Sequence, residues 1–226
     1  MIIAQQYGRP LIDWAWIGNH TDELWERFVE HLVLTGLAVA IGLALSLVLA
    51  VIAIRWRRTY QPILAASSIL YTIPSLAAFA FLVAVFGLFS LATALIPLVT
   101  YTLLILVRNI VTGIDGVPNS VREAADGMGY RPLRRFMTIE LPLAAPVVIA
   151  GVRIATVTVV GLVTVTSLLG RGGLGFFILN GFRKSIVSST EILVGTVLVV
   201  ALAAGLDALL LGLERLMTPW RRGEAA

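Results

Sequence analysis

The side chains able to do chemistry in this chain are few, and they are unevenly placed. The densest group is residues 120–142, SVREAADGMGYRPLRRFMTIELP, with four arginines, two glutamates and one aspartate between two long apolar runs. Its pattern is not that of a reaction centre: it has no nucleophile–base pair and no metal spacing. Elsewhere, His20 and His31 are isolated, cysteine is absent, and no Walker lysine motif, G-x-S-x-G or H-E-x-x-H occurs. Gly170, Gly172 and Gly175 satisfy G-x-G-x-x-G, but an uncharged run of 17 residues, 154–170, precedes them where a dinucleotide site needs a strand, and no acidic partner follows in a βαβ unit. The expectation is therefore no catalytic residue, no metal and no cofactor held by this chain.

The charged island reads as two short helices. Pro118 and Asn119 break the chain, and Ser120 with Glu123 fits a capping box. Val121, Ala124, Ala125 and Met128 fall on one helical face. Gly129 suits a left-handed C-terminal cap, and Pro132 suits the first turn of a second helix. Leu133, Phe136, Met137 and Leu141 share a face of that helix, and Pro142 predicts a break before the next element. Two readings stay open on these grounds. Such helices can lie on lipid headgroups, or the small Ala124–Ala125 pair, facing outward, can let another protein approach closely.

What positions the island is a membrane protein. The chain is 58% hydrophobic and 13% charged, with mean hydropathy +0.94, against roughly 25% charged in a soluble domain. Residues 32–54 carry no charge, enough to cross a ~30 Å hydrocarbon core. Residues 59–107 are 49 residues without a charge, too long for one crossing, so the run must turn, at Phe86–Leu91. The expectation is five transmembrane helices, near 32–54, 62–85, 92–108, 143–168 and 192–213, with Pro74 kinking the second and Pro97 within the third. Acidic residues rather than a basic segment precede the first run, which predicts no cleaved signal peptide.

With the cluster Arg55, Arg57 and Arg58 inside, eleven basic residues fall on the cytoplasmic side and five outside. This predicts an N-out, C-in, multi-pass protein of a cytoplasmic membrane, with lipid rather than nucleic acid explaining the net charge of +4. Splitting the second run into two spans at Pro74 would instead put the island outside.

Glu123, Ala124, Ala125, Gly129, Ile139, Leu141 and Pro142 fit EAA-x3-G-x9-I-x-L-P at every fixed position. That pattern resembles the cytoplasmic EAA loop of permease subunits of binding-protein-dependent ABC importers. IPSLA (73–77), RNIVTGIDGVP (108–118), ELPLAAPVVIAGVR (140–153), LLGRGGLG (168–175) and Asp207 look like the branch that imports glycine betaine, choline and related osmoprotectants, a branch whose architecture methionine importers share. The likeness covers roughly residues 32–219. It implies an all-α integral membrane permease with a methionine-importer-like fold. An extracytoplasmic segment would span 1–31, a permease domain 32–216 with its EAA loop at 113–142, and a cytoplasmic tail 217–226.

The resemblance further implies that the short island helix is a coupling helix seated in a separate ATPase, which alone would hold ATP and Mg. Glu123 would make a polar contact there and Gly129 the turn. A second permease copy or paralogue would complete the pathway, and an extracytoplasmic binding protein would deliver the solute. Pro74 and the loop residues Gly170, Gly172, Gly173, Leu174, Gly175 and Phe176 are expected to line the pathway or form an outer gate, the bland reading of the loop being a tight turn. Arg153 and Asp207 are the charges expected within the membrane. Two readings stay open, in which they lie toward the inner interface, with Arg153 snorkelling to it, or form a mutual ion pair, and a structural role is favoured over solute contact. Tyr71, Tyr101, Trp14, Trp16 and Trp56 are of the type that cages a quaternary ammonium. The tryptophans suit the interfacial belt instead, and the resemblance puts solute affinity in the binding protein. A carrier or channel working without an ATPase is the rival from another class.

Overall fold

The computed structural model describes residues 11–184 and 189–218, and all of its regular structure there is helical. The helices are α1 (Trp14–Asn19), α2 (Thr21–Arg55), α3 (Tyr60–Thr72), α4 (Ser75–Phe86), α5 (Leu91–Asp115), α6 (Asn119–Gly127), α7 (Pro132–Arg135), α8 (Leu141–Val165), α9 (Gly175–Arg183) and α10 (Ser189–Met217). Short 3-10 turns follow α2 and α8, and one π turn, Phe136–Glu140, leads from α7 into α8. Arg9, Arg221, Arg222 and most of the tail 217–226 lie outside the described residues.

Four helical stretches are long and apolar enough to cross a membrane, Thr21–Arg55, Leu91–Asp115, Pro132–Leu169 and Ser189–Met217, and a fifth is added if α3 and α4 form one broken span. The five apolar runs are thus found in place, and the chain turns at Gly87 (φ 86°), inside the expected 86–91. Three details differ from expectation. Helix α2 starts eleven residues before its apolar run, so the segment read as 1–31 ends in helix. Pro74 does more than kink the second run: α3 stops at Thr72, Ile73 and Pro74 are extended (ψ 125° and 130°), and α4 starts afresh. At 13 and 12 residues, and about 1.5 Å per residue, neither half can cross a bilayer alone, which removes the six-span alternative. Pro142 does not break the chain either. The π turn before it shifts the hydrogen-bond register, and α8 begins directly at Leu141.

The helical contacts group the chain into two units. The first comprises residues 11–38, 74–98, 158–184 and 189–204 of the described chain, with Leu34, Phe79, Leu98, Val160, Val163, Leu174 and Phe177 in its core. The second comprises 39–73, 99–157 and 205–218. Its core is Ala50, Ala53, Leu106, Val107, Ile110, Val111 and Ala155, flanked by Tyr60, Ile63 and Val152. Small residues hold its helices close. A Cβ on Gly42 would lie 1.9 Å from Thr102 Oγ1, so α2 and α5 need glycine there. Such close approach is how helices adhere in lipid, where burial of apolar surface supplies no force.

Outward on α2 and α10 stand large apolar side chains such as Val48, Val51, Val197, Val200 and Leu209. They match a hydrocarbon solvent.

Candidate functional site

Helix α6 starts one residue before the expected Ser120. Its N-cap is Pro118, whose carbonyl accepts from Val121 N (3.1 Å) and Arg122 N (3.4 Å), and no side chain caps it. The Ser120–Glu123 capping box does not form, because both residues already lie inside the helix. The C-terminus is as expected. Gly129 has φ 78°, Gly129 N donates to Asp126 O (2.9 Å) and Tyr130 N to Ala125 O (3.1 Å). This paired closure satisfies the last carbonyls and requires a left-handed residue at the corner. Pro132 opens α7.

The apolar face of α6 divides in two. Ala125 is completely buried, so of the alanine pair only Ala124 faces outward, with Glu123 and Met128 beside it. On the following segment Leu133 and Met137 are exposed as well. A charged turn of helix thus carries a shallow apolar surface made of Ala124, Met128, Leu133 and Met137, with Glu123 on its rim. Exposed apolar side chains grouped beside charges mark an interaction surface, for a protein or for a membrane.

One residue holds the island together that sequence reasoning passed over. Glu140 is buried. It accepts from Arg135 Nε at 2.8 Å and lies 3.2 Å from Arg122 Nε. Arg135 also reaches both carboxylate oxygens of Asp126 through Nη1, at 2.6 and 2.5 Å. Arg122 donates through Nη2 to Ile114 O, on α5, at 2.6 Å. The clamp ties α6 to the last turns of α5 and to the start of α8. A second tie, Arg57 to Asp115 at 2.7 and 2.5 Å, joins the end of α2 to the end of α5. The signal for Glu140 was a lone carboxylate between Ile139 and Leu141, where only paired charge is stable. Of the remaining motif residues, Ile139 and Pro142 are half-buried and Leu141 is exposed at the head of α8.

Arg153 and Asp207 form an ion pair. Arg153 donates through Nε and Nη2 to the two oxygens of Asp207, at 2.8 Å each, and lies 3.6 Å from Glu214. The fork-to-fork geometry satisfies both groups and joins α8 to α10.

The glycine loop is packed rather than open. Gly170 and Gly173 have φ 71° and 46°. A Cβ on Gly172 would lie 2.1 Å from Ser167 N, and one on Gly175 would lie 2.3 Å from Thr164 O. Leu174 is fully buried, so in this conformation it is core. Phe176 is half-buried beneath the Arg27 guanidinium, 4.3 Å from its ring centre. His31 is buried against this loop and donates through Nε2 to Val160 O at 3.0 Å, a structural role. Trp16 stacks on His20, while Trp14 and Trp56 are exposed. Among the described residues no group of acidic or histidine side chains could hold a metal ion.

The break at Pro74 is exposed, from Tyr71 to Pro74. The Tyr101 hydroxyl donates to Ile73 O, and the Tyr71 ring stands edge-on to Tyr101 with centres 5.5 Å apart.

The family described as binding-protein-dependent transport system inner membrane component matches residues 38–219. The osmoprotectant import permease protein OsmW of Salmonella typhimurium is 35% identical over 84% of this chain and 89% of its own length. The choline transport system permease protein OpuBB of Bacillus subtilis is 35% identical over 87% of this chain and 89% of its own. The glycine betaine/carnitine/choline transport system permease protein OpuCB of the same organism is 33% identical over the same shares. Among solved structures, the inward-facing MetNI methionine ABC transporter aligns with a TM-score of 0.73 at 21% identity, covering 92% of this chain and all of that one. That likeness carries the fold.

Proposed function

Because the chain belongs to the family of binding-protein-dependent transport system inner membrane components, a permease subunit of a multi-pass importer and not an enzyme, we propose that it forms the pathway for an osmoprotectant such as glycine betaine or choline. The observation that carries this reading is the 33–35% identity, over most of both chains, to permeases of osmoprotectant, choline and glycine betaine systems.

In this reading α6 is the coupling helix. Two cytoplasmic ATPase subunits, holding ATP and Mg, each seat one island on the Ala124–Met128 surface. Glu123 makes the polar contact at the rim, and the Glu140 clamp transmits the load to α5 and α8. The permease works as a pair, with itself or a paralogue. The N-terminus faces outward, where a binding protein delivers solute, and the C-terminus faces the cytoplasm. The exposed break at Pro74 lines the pathway. The Gly170–Phe176 loop acts as the outer gate, with Leu174 withdrawn into the core in the present conformation.

Reconstitution tests this. Proteoliposomes holding the permease, its ATPase and its binding protein should accumulate labelled choline or glycine betaine only with internal ATP. Uptake without an ATPase would favour a carrier. One observation supports a second reading: the fold is that of a methionine importer. The solute retained by the purified binding protein separates the two.

A further inference from the structure

The second apolar run is interrupted where a spanning helix would be continuous. Thr72, Ile73 and Pro74 are exposed and non-helical or at a helix end. Irregular backbone at membrane depth persists only where it is covered by protein or lines a wet cavity. The last turn of α3 leaves carbonyls without intrahelical donors, and the helix dipole places its negative end there. Two of the oxygens at this end are engaged locally: Thr72 Oγ1 donates to Ile69 O at 2.7 Å, and Tyr101 to Ile73 O.

Tyr101 is almost fully buried, and its hydroxyl is anchored on the break itself. Tyr71, in the last turn of α3, is 37% exposed and packs edge-on against Tyr101. One ring is therefore fixed and the other is backed by it, while Tyr71 keeps free surface. The run 59–107 contains no acidic residue. Without a carboxylate along it, the run can attract a cation only through ring faces and the dipoles of carbonyl, hydroxyl or amide oxygens.

We propose that Tyr71, backed by Tyr101 and flanked by the carbonyl end of α3, is a transient contact for the quaternary ammonium head of the transported solute. This rests on the osmoprotectant reading above. A trimethylammonium group has no N–H to donate, so carboxylates and carbonyls cannot hydrogen-bond it. It is held by ring faces and by the field of oxygen dipoles. A contact without a full negative charge also suits passage, since a pathway site must bind weakly enough to release.

The test uses the complete importer in proteoliposomes, with Tyr71→Phe and Tyr71→Leu and uptake of labelled choline or glycine betaine. Uptake should fall in the order tyrosine, phenylalanine, leucine, with leucine about 2- to 30-fold down, the range of a cation–π contact. Replacing Tyr71 with phenylalanines of increasing fluorination, which weakens the ring face at nearly constant shape, should lower uptake stepwise. That series decides the matter if the leucine variant fails to assemble. Equal uptake across the fluorinated series, or by Tyr71→Leu at equal expression, overturns the contact and leaves the osmoprotectant reading intact. If the unaltered importer moves no quaternary ammonium while its binding protein retains another solute, the osmoprotectant reading falls, and this inference with it.

Discussion

Arg135 donates through Nε to Glu140 at 2.8 Å, and this contact fastens the α6 corner to the head of α8. The geometry predicts an unequal pair of effects. Glu140→Ala leaves Arg122 and Arg135 facing each other without the carboxylate, and should destabilise the island by about 1.5–3 kcal/mol, the range for buried hydrogen bonds to charged groups. Asp126→Ala removes only the exposed arm of the clamp and should cost far less. Limited proteolysis of the island in detergent, read as the rate of cleavage after Arg131 or Arg134, distinguishes the two variants. Equal rates would mean that Glu140 is not the hub.

Gly129 needs its left-handed backbone, not its lack of bulk, since nothing lies within 4 Å of a Cβ placed there. Gly129→Asn should therefore keep transport, and Gly129→Val should lose most of it at unchanged membrane insertion. The conformational cost is about 1–2 kcal/mol for an ordinary side chain. Uptake at matched expression reads this out. Normal transport by the valine variant would count heavily against a coupling role for the corner.

At Gly172 the argument reverses. There the obstacle is backbone, Ser167 N at 2.1 Å, which cannot swing aside. Gly172→Ala should lower the thermal midpoint of the purified protein, the cost being about 1–3 kcal/mol for overpacking. An unchanged midpoint would show that the loop is looser than its packing around Ser167 and Thr164 implies.

Neutralising Asp207 leaves Arg153 with only the longer Glu214 contact at 3.6 Å, and neutralising Arg153 removes the bidentate partner of Asp207 in a membrane-spanning segment. Asp207→Leu and Arg153→Met should each reduce folded protein in the membrane, and the double variant should recover much of it. Fluorescence-detected size exclusion of tagged protein measures this. If the double variant fares as badly as both singles combined, with uptake lost as well, the pair has a role in transport beyond holding α8 to α10.

The first three spans were legible because the uncharged runs 32–54 and 59–107 have few alternatives, the last two because each long apolar stretch carries a single charge, Arg153 or Asp207, and the glycine corner because positive φ selects glycine. The parts that were missed depend on neighbours. Ala125 is buried while Ala124 is exposed, and helical periodicity alone cannot say which half of a face is covered. The capping box failed because the Pro118 carbonyl had already begun the helix. Pro142 was read as a break because a π turn is invisible to propensity. The clamp itself joins Glu140 to Arg135, five residues before it, and to Arg122, 18 before it, across a glycine corner and a π turn that no helical spacing anticipates. Tyr71 and Tyr101, 30 residues apart, meet only because the chain turns back at Gly87.

The account turns on the outward face of α6, and co-purification tests it most directly. The permease is expressed with its ATPase, and the ATPase recovered on the tagged permease is measured for the unaltered chain and for Ala124→Trp, a change at an exposed position that leaves buried Ala125 and the Glu140 clamp untouched. The account predicts that Ala124→Trp loses most of the ATPase while the permease still inserts and migrates as a folded species. Full recovery of ATPase with Ala124→Trp would contradict it, and would place the contact elsewhere on the protein.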